Sequence, residues 1–222
     1  NPNTAIQPID NLYLGKRYSD KEILSYIKKN NLDKKYKITK HKDIELKIAK
    51  MISKGEIVAR FKGRNEFGAR ALGNRTILAD PSKMESFYTV NDQVKMRDFW
   101  MPFAPSILWE DHSKYIKNPK NFKAPHMILA FDSTQEGKDK LRAALHQADK
   151  TLRPQLVEKQ TSPDYHKLIN YFKKLTGIGA VLNTSLNVHG YPLVSTIKQA
   201  FFTMENSELK NLALENFLIQ KK

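Results

Sequence analysis

Between Ser162 and Leu182 the sequence leaves little freedom of local structure. Ser162 is a preferred N-cap type, and Pro163 follows at the first helical position, where a missing N–H does no harm. Tyr165, Leu168, Ile169, Phe172 and Leu175 then recur at i, i+3, i+4, i+7 and i+10, one apolar stripe along a helix over 163–175. Gly177 and Gly179 end it and open onto the apolar strand Ala180-Val181-Leu182. A striped helix running into a wholly apolar strand demands a layered core, and 222 residues are enough to build one.

The same pattern reading predicts helices over 20–29 (Ile23, Leu24 and Ile27 on one face) and 43–53 (Ile44, Ile48, Met51, Ile52), the second closed by Gly55. Residues 57–61 read as a strand and 77–79 as a buried strand stopped by Asp80-Pro81, with a helix over 83–94 and strands over 103–108 and 126–131. Thr196 with Gln199 three residues on resembles a capping box for a helix through Met204. Leu212-Ala213-Leu214 and Phe217-Leu218-Ile219 close the chain as one strand or a hairpin, and residues 1–15 read as extended. Strands and helices alternate without strict βαβ order. The expected class is therefore α/β of the α+β kind, a mixed open sheet with flanking helices.

Composition removes several functions. There is no cysteine, which excludes disulfides and cysteine-based zinc sites. The six histidines show neither HxxxH nor HExxH spacing, so no metal site built wholly from this chain is expected. No run approaches the ~18 apolar residues that span a bilayer, and no signal-peptide core precedes the first strand, so a cytoplasmic protein is expected. The start at Asn1-Pro2-Asn3-Thr4, without an initiator Met, reads as a cut edge. Net charge is +15, from 30 Lys spread along the chain and eight Arg, five of which (Arg60, Arg64, Arg70, Arg75, Arg97) crowd into one stretch. Scattered Lys is the mark of a solvated surface. Arg set among Gly is different, because the planar guanidinium fork suits phosphate and carboxylate.

Four stretches could carry chemistry. In 63–75, three glycines alternate with three arginines; this is neither GxxxxGK[ST] nor GxGxxG, and either an anion-binding turn or an ion-paired turn using Glu66 and Asp80 would explain it. Lys95 and Arg97, two residues apart, would point the same way on an extended chain. Asn183-Thr184-Ser185-Leu186-Asn187 follows the buried strand and could offer amides and hydroxyls to a ligand at the sheet edge, or bond its own backbone as a polar turn. The stretch 146–155 holds His146 and the isolated Arg153, where 138–148 could be helical and Thr151-Leu152-Arg153 reads as extended.

In this order and spacing the four stretches resemble the carboxyl-terminal domain of the O-carbamoyltransferases, the nodulation-factor and antibiotic-tailoring enzymes. The family pattern runs roughly GRxEFGPRALGNRSILADP, LNxxVKxRExFRPFAPS, HVDGTARxQ and LNTSFNVxGEPIV. It is matched here by 63–81, 94–106, 146–155 and 182–194, with 12–23 resembling the opening of that domain. The resemblance implies one YrdC-like domain over 1–222 with a concave basic face. It also implies binding of ATP with Mg²⁺ and of carbamoyl phosphate, and production of carbamoyladenylate. A separate amino-terminal, metal-containing domain of the actin/Hsp70-like type, not present in this sequence, would pass the carbamoyl group to an acceptor hydroxyl.

Carried over by position, Arg70, Lys95 and Arg153 are expected to hold anions, while Asn183 and Ser185 contact nucleotide and carbamoyl group; Lys95, Arg153 and Ser185 stand nearest the reaction. Arg75, Arg97, His146 and Asn187 are second candidates for substrate binding. Met101 stands where many members have Arg, so one phosphate contact is lost or made elsewhere, and Asp149-Lys150 replaces Asp-Gly, which makes a tight hairpin less comfortable. A basic RNA-binding module of the same fold is the competing class. Against it, the aromatics are not interleaved with the basic residues as stacking platforms.

Overall fold

The structure, a computed structural model, describes residues 11–95, 98 and 101–222. Helix α1 (Asp20–Lys29) starts at a capping box in which Ser19 and Glu22 satisfy each other's amides. The short α2 (Leu32–Lys35) leads into β1 (Tyr36–Lys40), and α3 (Ile44–Ser53) is capped by the Asp43 carboxylate. Strands β2 (Val58–Phe61) and β3 (Arg75–Ala79) flank the Gly/Arg turn. Then come α4 (Met84–Val90), β4 (Ala104–Leu108), α5 (His112–Tyr115), β5 (Phe131–Asp132), α6 (Gln135–Lys140), β6 (Thr151–Leu152) and β7 (Gln155–Val157). The chain ends with α7 (Pro163–Thr176), β8 (Ala180–Ser185), α8 (Ile197–Glu205), β9 (Asn211–Leu214) and β10 (Phe217–Lys221).

Among the described residues the main sheet has eight strands in the order β1-β10-β9-β2-β3-β8-β4-β7. It is mixed: β2 with β9 and β4 with β7 run parallel, and the other pairings are antiparallel. Side chains of the central strands divide between its two faces, as a pleat requires. Val58, Leu78, Val181 and Ala213 meet α3 and α7 through Ile44, Ile48, Ile52, Tyr165, Leu168, Ile169 and Phe172. Ala59, Phe61, Ile77, Leu182, Leu212 and Leu214 meet α1, α4 and α8 through Ile23, Ile27, Phe87, Val90, Ile197, Phe201 and Met204. With both faces covered, the central strands are buried along nearly their whole length.

The helix over 163–175 is present almost as predicted and ends at Gly177 in the left-handed region, although Leu175 is exposed rather than on the buried stripe. The predicted capping box at Thr196 and Gln199 is formed, and the last two strands make a hairpin turning at Glu215. Two expectations change. Residues 126–131 are not a strand: Ala124 and Met127 take positive φ, Ile128 and Leu129 are exposed, and only Phe131–Asp132 pairs, with β6. The predicted 83–94 helix stops at Val90 and widens into a π-type turn over Asn91–Lys95.

Candidate functional site

The Gly/Arg turn is organised by a carboxylate but is not ion-paired in the expected way. Glu66 is buried, and its Oε1 accepts hydrogen bonds from the amides of Leu72 (2.9 Å), Asn74 (2.7 Å) and Arg75 (3.0 Å). Asp80 instead takes the Ser82 amide and hydroxyl. Gly73 sits at φ +108 with the Tyr165 ring packed where a Cβ would be, and its carbonyl accepts from Arg60 Nη1.

The clustered arginines have separate fates. Arg75 is fully buried, donates to the carbonyls of Lys62, Asn74, Lys16 and Gly63, and stacks 3.6 Å from the Phe61 ring centre. Burial pushes its guanidinium down to about 10, with the Glu66 and Glu215 carboxylates opposing the fall. The structure therefore corrects Arg75 from a substrate contact to an internal clamp. Arg64 donates to the carbonyls of Gly15 and Leu14, tying down the segment that precedes α1. Arg60 lies near the buried Glu45 carboxylate, which Lys62 also contacts. Arg97 lies outside the described residues.

The end of β8 supplies the polar side. Asn183 is buried, donating to Ala71 O (3.0 Å) and Ser106 Oγ (2.9 Å) and accepting from Thr76. Gln155 extends this row, accepting from Ser106 and donating to Leu72 O. Lys95 is also buried rather than pointing outward beside residue 97. Its ammonium donates to Ser185 Oγ (3.2 Å), to the Ser185 carbonyl, and to Asn187 through both carbonyl (3.1 Å) and side chain. Ser185 Oγ in turn donates to Asn187 Oδ1 (2.7 Å). Lys95 thus shapes the turn after β8 instead of standing open as an anion holder.

These elements border a cleft open to solvent, lined by Arg70, Arg153, Asn183, Thr184, Ser185 and the wall residues Phe103 and Met127, among others. Pro102, Phe103 and Arg153 also border a second, neighbouring cleft, which His146 and Thr151 help to line. His146 Nδ1 lies 2.8 Å from Asp149 Oδ1, which also accepts from the Thr151 amide and hydroxyl. Arg70 is exposed and Arg153 half-buried, and neither makes a hydrogen bond or ion pair with a described residue. Burial, reinforced by the neighbouring Arg70 charge, pushes the Arg153 guanidinium below its usual value.

Sequence reasoning thus brings Arg70, Arg153, Asn183 and Ser185 to one cleft, with His146 next door and Asn187 behind Ser185. It did not single out Phe103, Met127 or Tyr13. The Tyr13 hydroxyl donates to Leu72 O (2.8 Å) behind the turn, and burial raises its pKa to about 12. An aromatic in a segment read only as extended gives no signal of that role.

The chain is 39% identical over 212 residues to an uncharacterized protein of Methanocaldococcus jannaschii, covering 95% of this chain and 34% of that protein. It is 36% identical over 185 residues to nodulation protein NolO of Bradyrhizobium diazoefficiens (83% and 34%). It is 33% identical over 167 residues to a 3'-hydroxymethylcephem-O-carbamoyltransferase of Streptomyces clavuligerus (75% and 31%). The chain spans about a third of the length of these relatives. In fold it is similar to full-length HypF in its phosphate- and nucleotide-bound form (TM-score 0.55, 15% identity, 83% of this chain and 22% of that one). It is also similar to P. abyssi Sua5 complexed with L-threonine (TM-score 0.51, 16% identity, 70% and 42%). The large mixed sheet with flanking helices is that of the expected YrdC-like class. Residues 49–221 match the family described as carbamoyltransferase C-terminus, and the chain belongs to that family.

Proposed function

We propose that this chain is the carbamoyl-activating domain of an O-carbamoyltransferase, binding ATP and carbamoyl phosphate in the cleft and forming carbamoyladenylate. The single observation that carries the reading is the pair Arg70 and Arg153, far apart in sequence, lining one cleft without a bonded acid among the described residues. Two guanidiniums left this way repel, and an anion with several phosphate oxygens is the ligand that relieves both.

The proposed reaction consumes one water, releases phosphate and pyrophosphate, and balances in two steps. Water splits the mixed anhydride of carbamoyl phosphate into carbamate and phosphate. A carbamate oxygen then attacks the α-phosphorus of ATP, and the bond to pyrophosphate breaks. Arg70 and Arg153 would hold phosphate oxygens as charge shifts onto pyrophosphate, and Ser185 Oγ would lie beside the carbamoyl group. Among the described residues no three His, Asp or Glu side chains converge, so Mg²⁺ in this reading enters on the triphosphate. Transfer to an acceptor hydroxyl would belong to another domain of the longer protein. ATP–pyrophosphate exchange that depends on carbamoyl phosphate is the direct test, and its absence in a protein that folds and is assayed with Mg²⁺ would reject the reading.

A further inference from the structure

We infer that Glu66 and Asn183 are positioning residues that act through Arg70, an inference that rests on the anion-binding reading of Arg70. Arg70 rides on the short exposed run 67–70. The backbone on either side of that run is tied down, at its end by buried groups. At its start the Phe67 amide donates to Leu12 O (2.7 Å) and the Asn65 amide to Lys16 O (3.1 Å). At its end Ala71 O accepts from Asn183 Nδ2, and the next amides converge on Glu66 Oε1. Glu66 therefore stands at the start of the loop and closes its end with the carboxylate, fixing the separation of the two ends.

Asn183 was expected to contact ligand, but its amide is already engaged. One Nδ2 hydrogen goes to Ala71 O, the other to Ser106 Oγ, and Oδ1 accepts from Thr76 Oγ1. An asparagine amide has two N–H donors, so none remains for a phosphate or carbamoyl oxygen. What Asn183 does hold is the residue next to Arg70. Holding both ends of so short a loop lowers the conformational entropy that Arg70 must lose on binding.

The test is a double-mutant cycle on the 222-residue chain, read by MgATP titration calorimetry and by thermal unfolding. Its members are the wild type, Glu66→Gln, Arg70→Ala and the double variant. Glu66→Gln should weaken MgATP binding about tenfold, the worth of one charge-assisted hydrogen bond. It should add nothing once Arg70 is Ala, while its loss of thermal stability stays the same in both backgrounds. The same cycle with Asn183→Ser should give the same pattern, and it carries the test alone if Glu66→Gln does not fold. Losses that multiply across the cycle would overturn the inference and leave the anion site standing. An Arg70→Ala variant that binds MgATP like the wild type would overturn both.

Discussion

Replacing Gly73 by Ala should be among the most damaging single-methyl changes in this chain, and the structure divides its cost into two parts. Gly73 sits at φ +108, a region L-residues rarely adopt, which costs about 1–2 kcal/mol. The added Cβ would also lie closer than 3.0 Å to three carbons of the Tyr165 ring. Tyr165 is fully buried between α7 and the sheet, so the ring cannot move without repacking, worth about another 1–3 kcal/mol. The sum is about 2–5 kcal/mol. For a chain of this size each kcal/mol lowers Tm by about 2–4 °C. Gly68→Ala is the internal control: φ is +110, yet nothing lies within 4 Å of the new methyl, so only the backbone part applies. Urea unfolding of both variants, with unchanged m-values, measures the difference. Equal losses in the two would refute the clash with Tyr165, and a Gly73→Ala loss below about 1 kcal/mol would refute the backbone argument as well.

Three further outcomes are expected. Arg153→Ala should abolish MgATP binding while Lys174→Ala, on the exposed side of α7, leaves it unchanged, as read by calorimetry; equal losses would point to bulk charge instead. Lys150, at φ +59, occupies the left-handed position of the 146–151 turn, so Lys150→Gly should stabilise by about 0.5–1 kcal/mol, seen as a raised urea midpoint. Burial raises the Glu215 pKa against the opposing Gly63 amide and Arg17, so ionised Glu215 weakens the fold once pH rises through its folded value. Glu215→Gln should therefore be the more stable form at neutral pH, with the advantage vanishing as pH falls below the model-compound value of 4.5, a trend that pH-dependent unfolding would reveal.

What the sequence made legible was local. The α7 stripe, its Ser-Pro start and glycine end, and the Thr196–Gln199 cap are signals within a few residues of one another, and each is present. Strand β1 was missed because Tyr-Lys-Ile-Thr-Lys is the charged pattern of an edge strand, which reads as loop until β10 is seen beside it. The 126–131 run failed for the opposite reason: its apolar residues suggested burial, yet Ile128 is 71% exposed on a backbone bent at Met127. Register across the sheet, such as β2 beside β9, joins segments far apart in the chain and has no local signature. The cleft residues could be gathered because their motifs resemble a known pattern, but which cations the fold engages internally could not be read from residue type.

That last point rests on acceptors rather than on charge. Arg75, Arg64, Arg60 and Lys95 all give hydrogens to carbonyl, carboxylate or amide oxygens, although the buried Nε of Arg60 and of Arg75 has no partner among the described residues. A guanidinium carries five N–H donors and no acceptor, so its fate is decided by how many oxygens the fold brings to it. The backbone turns at Gly63 and Gly73 expose carbonyls, and these serve Arg75 and Arg60. Arg70, at the tip of the same turn, receives none among the described residues, and Arg153 lines the same cleft with its buried Nε unpartnered among them. The Gly63 and Gly73 turns thus aim carbonyls at the structural arginines, while Arg70 on the exposed run between them meets no such acceptor among the described residues. An internal acid beside Arg70 would quench the pair, so the prediction built into this arrangement is that Ala69→Glu should weaken MgATP binding through charge rather than shape, and that Ala69→Gln, of nearly equal size, should weaken it far less.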